Sequence, residues 1–96
     1  MKLTKSQERI IEKIKSKYYN VEVTNDVCVI VKFDNNESLW NKITAMVVIG
    51  ERGSVKFLFC DRVLCDKKHK KVLARLIASE LNIKRITFAK HFWYNL

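Results

Sequence analysis

Every second residue from Val27 to Phe33 is a large apolar one, with Cys28, Ile30 and Lys32 between them. A period of two gathers Val27, Val29, Val31 and Phe33 on one side only in a pleated strand, since a helix would spread them around its circumference. The same alternation precedes it, Val21 and Val23 against Glu22 and Thr24. Between the two stretches stand Asn25 and Asp26, residue types that tolerate positive φ and so suit a tight turn. The pattern predicts a β-hairpin.

A second pair of strands follows a polar stretch, Asp34-Asn35-Asn36-Glu37-Ser38, expected to be a loop. Leu39 to Ile49 carries two periodicities: Leu39, Trp40, Ile43, Met46 and Val47 fit a helix, whereas Ile43 to Ile49 fits a buried strand. Three consecutive β-branched residues, Val47, Val48 and Ile49, favour a strand from about Ile43, with a short helical turn ahead of it. Gly50-Glu51-Arg52-Gly53 is the one glycine-flanked turn, and beyond it Val55, Phe57 and Phe59 alternate with Lys56, Leu58 and Cys60, a second hairpin.

Two helices bracket these strands. From Thr4 to about Tyr18, Ile10, Ile11, Ile14 and Tyr18 recur at helical spacing, and Thr4 with Gln7 forms a capping box. Asp66 is an N-cap for a helix over about Lys67 to Leu81, with a core stripe of Val72, Leu73, Leu76, Ile77 and Leu81 and with Asn82 at its C-terminal cap. Ile86 and Phe88 suggest a last strand, and Phe92, Trp93 and Tyr94 follow. The expected order is α-β-β-β-β-α-β. In 96 residues that is one α+β domain over 1–96, an antiparallel-rich sheet with two helices packed on one face.

Composition narrows the setting. At 48% hydrophobic residues the chain can bury a core, yet Ile43 to Ile49, its longest apolar run, falls far short of the ~20 residues that span a bilayer. After Met1 and Lys2 the chain becomes charged within a few residues, unlike a secretion signal. Three cysteines, Cys28, Cys60 and Cys65, are an odd count suited to free thiols. A soluble protein of the reducing cytoplasm is expected, with no membrane association.

The formal net charge is +9, which draws a protein to polyanions. The charge is uneven: residues 62–96 hold nine Lys/Arg against two acids, Asp66 and Glu80, whereas residues 1–61 hold ten against eight. Lys67, Lys68, Lys70 and Lys71, with His69 among them and Arg75 one turn on, occupy the start of the second helix. Cations there face the positive end of the helix dipole, at a cost of roughly 0.3–1 kcal/mol each. Four lysines beside unpaired backbone N–H groups make a site that an arriving phosphate would relieve.

The run Asp66-Lys67-Lys68-His69-Lys70-Lys71-Val72-Leu73-Ala74 resembles the start of the last helix of a double-stranded-RNA-binding domain, where Ser/Asp-Lys-Lys-x-Ala-Lys-x-x-Ala is typical. The resemblance covers residues 55–81. It implies phosphate contacts for Lys67, Lys68 and Lys71 and helix packing for Ala74. The sequence departs from that family in carrying Lys70 at the usual small position, Arg62-Val63-Leu64-Cys65 in place of a glycine-rich turn, four strands rather than three between the helices, and a further strand afterwards.

Lys84, Arg85, Lys90 and His91 lie near Phe92, Trp93 and Tyr94, a mixture that can track a backbone and stack bases, with Tyr94 the aromatic expected to be exposed. The plainer expectation is that Phe92 and Trp93 close the core or seal a homodimer. Arg9, Lys13 and Lys17 form a basic row on the first helix, which Glu8 and Glu12 beside it mark as a solvated face.

Catalysis and metal binding find little support. Cys60, Cys65 and His69 are zinc-type ligands at an unfamiliar spacing, with Cys28, His91 or a carboxylate needed as a fourth, and no orienting group accompanies a Cys–His nucleophile. The helix–meander–helix order echoes PD-(D/E)xK nucleases, with Glu8 and Asp26 as metal-binding acids and Lys32 as the lysine. Ile30 stands where that motif requires an acid two residues before Lys32. The sequence therefore predicts no enzyme and no cofactor. It predicts a small nucleic-acid-binding protein, RNA ahead of DNA, using Lys67, Lys68, His69, Lys70, Lys71, Arg75, Lys84, Arg85, Lys90 and Tyr94. The alternative is an accessory protein of phage or mobile-element type that inhibits or adapts a protein target.

Overall fold

A computed structural model describes residues 2–34, 44–60 and 67–94, and the side chains of 2–34, 45–58 and 71–88. The elements run α1 (Lys5–Lys17), β1 (Tyr19–Asn25), β2 (Val29–Asp34), β3 (Thr44–Ile49), β4 (Val55–Cys60), α2 (Lys67–Glu80) and β5 (Ile86–Tyr94). This is the expected α+β order. The sheet order is β1-β2-β3-β4-β5, antiparallel through β4, with β5 parallel to β4. A parallel neighbour cannot be reached by a tight turn, so α2 serves as the crossover that carries the chain back along the sheet.

Both helices cover one face of the sheet. Paired residues place Val23, Val31, Val47, Phe57 and Phe88 in one row across it, and Val29, Ile49, Val55 and Ile86 in another. Onto these rows α1 sets Ile10, Ile11 and Ile14, and α2 sets Ala74, Ile77, Ala78 and Leu81. On the opposite face Ile30, Lys32, Met46, Val48 and Leu58 are half-buried and Lys56 is exposed.

The start of α1 follows the sequence closely. Thr4 Oγ1 accepts from the Gln7 amide at 3.2 Å, and Gln7 Oε1 accepts from the Thr4 amide at 2.9 Å, the reciprocal capping box. The end of α2 is equally local in origin. Asn82 takes φ 55°, Ile83 N–H donates to the Ala78 carbonyl at 2.8 Å and Asn82 N–H to the Ser79 carbonyl at 3.1 Å. These are the two bonds of a Schellman turn, with asparagine in the left-handed position. The Gly50–Gly53 turn forms as expected, with Gly53 at φ 90°.

Three expectations need correction. The first hairpin turns on Asp26, Val27 and Cys28 rather than Asn25-Asp26, because Asn25 pairs with Val29; Val27 is 87% exposed and lies outside β2. Val23 is exposed because β1 is an edge strand that the helices cover only in part. The core stripe of α2 is rotated: Val72 and Leu76 are 47% and 56% exposed, and Ala74 and Ala78 are buried in their place. Two small side chains let the helix axis come close to the sheet, and Val72 and Leu76 then fall outside the buried arc. The last strand expected at Ile86 and Phe88 is present and runs to Tyr94, pairing with β4 through an irregularity between Phe57 and Phe59. The predicted loop at 35–38, the helical turn near Leu39-Trp40 and the Asp66 cap lie outside the described residues.

Candidate nucleic-acid interface

The backbone places Lys67, Lys68, His69, Lys70 and Lys71 in the first turn and a half of α2, which holds no acidic residue in its first turn. Lys71 and Arg75, one turn apart, are exposed. Lys71 Nζ lies 5.6 Å from the centre of the half-buried Phe88 ring. That cation–π contact gives Lys71 a packing role on β5 beside any role toward an anion. Lys90, His91 and Tyr94 belong to the far half of β5, which runs parallel to β4 and so leads back toward the end of the sheet from which α2 departs.

Lys84 and Arg85 are not part of that group. They follow the C-terminal end of α2, which is about 21 Å long at 1.5 Å per residue. There they join cations from two other segments. A cleft of about 260 Å³ is lined by Arg9 and Lys13 of α1, Arg52 of the β3–β4 turn, and Lys84 and Arg85, with Ser6, Ile10, Gly53, Asn82 and Ile83 completing the wall. Among the described residues no acidic side chain lines it, although Glu8, Glu12 and Glu51 are close in sequence. Among the described residues no ion pair engages Arg9, Arg52, Lys84 or Arg85.

Short bonds hold the walls of this cleft. Gln7 Nε2 donates to the Ile49 carbonyl at 3.0 Å and Thr4 Oγ1 to the Glu51 carbonyl at 2.8 Å, fixing the Gly50–Gly53 turn against the start of α1. Val55 N–H donates to the Arg85 carbonyl at 3.0 Å, fixing the other wall to β4. Lys13 Nζ donates to the Leu81 carbonyl at 3.0 Å, and Lys17 Nζ to the Glu80 carbonyl at 2.6 Å. The basic row of α1 is therefore no plain solvated face: two of its lysines cap the negative end of α2 from a neighbouring helix, an arrangement the dipole favours.

On the other side of the α1–α2 contact the Tyr18 hydroxyl donates to Glu80 Oε2 at 2.5 Å, and its ring lies 4.8 Å from that of Phe33. Burial, then the hydrogen bond to Glu80 and its negative charge, push the Tyr18 phenol well above its ordinary value of 10. Tyr18 and Tyr19 also border a notch of about 170 Å³ with Lys17, Leu73, Leu76 and Glu80.

Sequence reasoning missed Arg9 and Arg52 as members of a basic site. The signal was weak because they sit far apart in the chain and each stands beside a glutamate. Among the described residues no three His, Cys, Asp or Glu side chains converge as metal ligands would. Of the zinc-type residues considered, only Cys28 has a described side chain, and it is a half-buried free thiol. No described helix is long and apolar enough to cross a membrane. Compared with family models, with curated proteins and with solved structures, the chain matches none of them.

Proposed function

We propose that this protein binds nucleic acid, RNA in preference to DNA, by neutralising backbone phosphates at the start of α2. The observation that carries the reading is a 14-residue helix that opens Lys-Lys-His-Lys-Lys with no acid in its first turn. Stability alone favours Asp or Glu at those positions, so the lysines cost free energy until an anion covers them. Lys67, Lys68 and Lys70 supply the charge, His69 and Arg75 extend it, and Lys71 shares its charge with the Phe88 ring. The resemblance of residues 55–81 to a double-stranded-RNA-binding domain tilts the choice toward RNA. Among the described residues no set of Arg and Asn side chains is arranged for base edges, so backbone shape rather than sequence would be read. Lys90 and Tyr94 would extend contact along β5.

The test is binding to duplex RNA, duplex DNA and single strands at two salt concentrations, for the native chain and a Lys67→Glu/Lys68→Glu variant. These two lysines are chosen because Lys71 also touches Phe88. The native chain should bind, and affinity should fall with a logarithmic slope of about −0.9 per neutralised duplex phosphate. Lack of polyanion affinity at low salt would end the reading, and equal binding by a folded variant would remove α2 from it.

A second reading has its own observation. Val72 and Leu76, one turn apart on α2, are exposed, as is Tyr19, and Leu76 and Tyr19 border the same notch. Apolar side chains grouped in this way suit a protein partner, as an inhibitor or adaptor would need. Retention of a target protein by the native chain but not by Leu76→Lys, without any polyanion affinity, would favour it.

A further inference from the structure

We infer that the cleft between α1, the β3–β4 turn and the α2–β5 turn is a separate anion site that takes a terminal phosphate monoester. Three observations carry this. The five cations among its described lining residues come from three segments far apart in the chain, so the cleft is a product of the fold rather than of one lysine-rich run. Among the described residues no acid lines it and no ion pair engages four of the five. The fifth, Lys13, is committed to the Leu81 carbonyl and so offsets the negative end of α2 that would otherwise face the anion.

The choice of a monoester follows from charge and shape. Arg9, Arg52 and Arg85 line it, and the planar donor pairs of a guanidinium match phosphate oxygens. A phosphodiester offers one negative charge and continues as chain on both sides. A terminal phosphate carries about −1.5 to −2 at neutral pH and three accepting oxygens, and can enter a concave site end-on. A cleft of about 260 Å³ has room for such a group with its sugar. The phosphate has two candidate sources, the phosphorylated end of a nucleic acid or a free nucleotide. The first rests on the nucleic-acid reading above; the second does not. At the opposite end of α2 from the lysine cluster, the cleft would hold a chain end while the lysines hold its backbone.

The experiment compares a single strand of about 12 nucleotides bearing a 5′-phosphate with the same strand bearing a 5′-hydroxyl, by fluorescence anisotropy, with adenosine monophosphate as a separate probe. Three proteins are used: the native chain, Arg52→Gln/Arg85→Gln, and Lys67→Gln/Lys68→Gln, each checked for folding by thermal melting. The Arg85 bond to Val55 runs through its backbone, so the arginine variant should fold; Arg9→Gln serves if it does not. The native chain should prefer the phosphorylated strand by about tenfold, the effect of one added charge-assisted hydrogen bond. That preference should vanish in the arginine variant and persist in the lysine variant. If adenosine monophosphate binds the native chain, fails to bind the arginine variant, and neither strand binds, the cleft stands and the nucleic-acid reading falls. Equal affinity for the two strands without nucleotide binding overturns the inference, as does a preference that survives in the folded arginine variant.

Discussion

The Gln7 side chain joins two parts of the fold: its oxygen accepts from the Thr4 amide at 2.9 Å while its nitrogen donates to the Ile49 carbonyl at 3.0 Å. A residue only 3% exposed thus completes the cap of α1 and anchors that helix to the end of β3. Gln7→Ala removes both bonds and should cost about 2 kcal/mol in urea unfolding. Gln7→Glu keeps the acceptor but loses the donor at neutral pH. It should be at least as destabilised there, and should recover part of the loss once acid protonates the carboxylate and restores a donor toward Ile49.

The rotation of α2 separates side chains that look equivalent in sequence. Leu81 is 1% exposed and Ile14 is fully buried. Leu81→Ala or Ile14→Ala should cost about 2–5 kcal/mol, because each leaves a cavity in a close-packed core. Leu76→Ala should stay within about 0.5 kcal/mol of the native chain, as expected at the surface. Chemical denaturation of the three variants checks the order, and a loss at Leu76 as large as that at Leu81 would contradict the observed face.

The start of α2 should show opposed effects of one change. Lys67→Glu/Lys68→Glu replaces two cations at the positive end of the helix by two anions, which should raise the thermal midpoint. The gain should be about 0.3–1 kcal/mol per residue at low salt. The same variant should lose polyanion affinity. A variant that is both less stable and unbound would point to misfolding rather than to lost contacts.

Alkaline pH should act through Tyr18. Its phenol is raised above 10 in the folded protein by burial and by Glu80, while the unfolded chain ionises near 10. The folded state thus holds a proton that the unfolded state releases. The contribution is fully present below pH 10 and is lost as pH rises beyond it. Tyr18→Phe should show a smaller loss of stability above pH 10 than the native chain, measured by unfolding at a series of pH values.

What the sequence made legible was short-range. Thr4 and Gln7 are three residues apart, Asn82 adjoins the helix that it ends, and Gly50 to Gly53 form one turn, so each rests on neighbours visible in any window. Alternation was enough to put Val29, Val31, Phe33, Val55 and Phe57 inside. What stayed hidden was long-range. Whether Val72 or Ala74 faces the sheet depends on how closely α2 can approach it. Lys13 and Lys17 looked solvated because their acceptors, the Leu81 and Glu80 carbonyls, lie on another helix. Arg9 and Arg52 share a cleft with Arg85 only because β5 lies beside β4. The lysines of α2 were readable as a site because they are contiguous; the arginine cleft was not, because its members meet only in the folded chain.

The parallel pairing of β4 with β5 also sets an order in time. Strands β1 to β4 each pair with the next strand in the chain, whereas β5 must wait until α2 has crossed the sheet, and such non-local pairings form slowly. The Val55–Arg85 bond that fixes one wall of the cleft belongs to this late step. A ligand bridging Arg52 and Arg85 would find nothing to grip in a chain whose β5 is undocked. It should therefore act as a clasp on the last strand, slowing its release while leaving the initial collapse of the meander untouched.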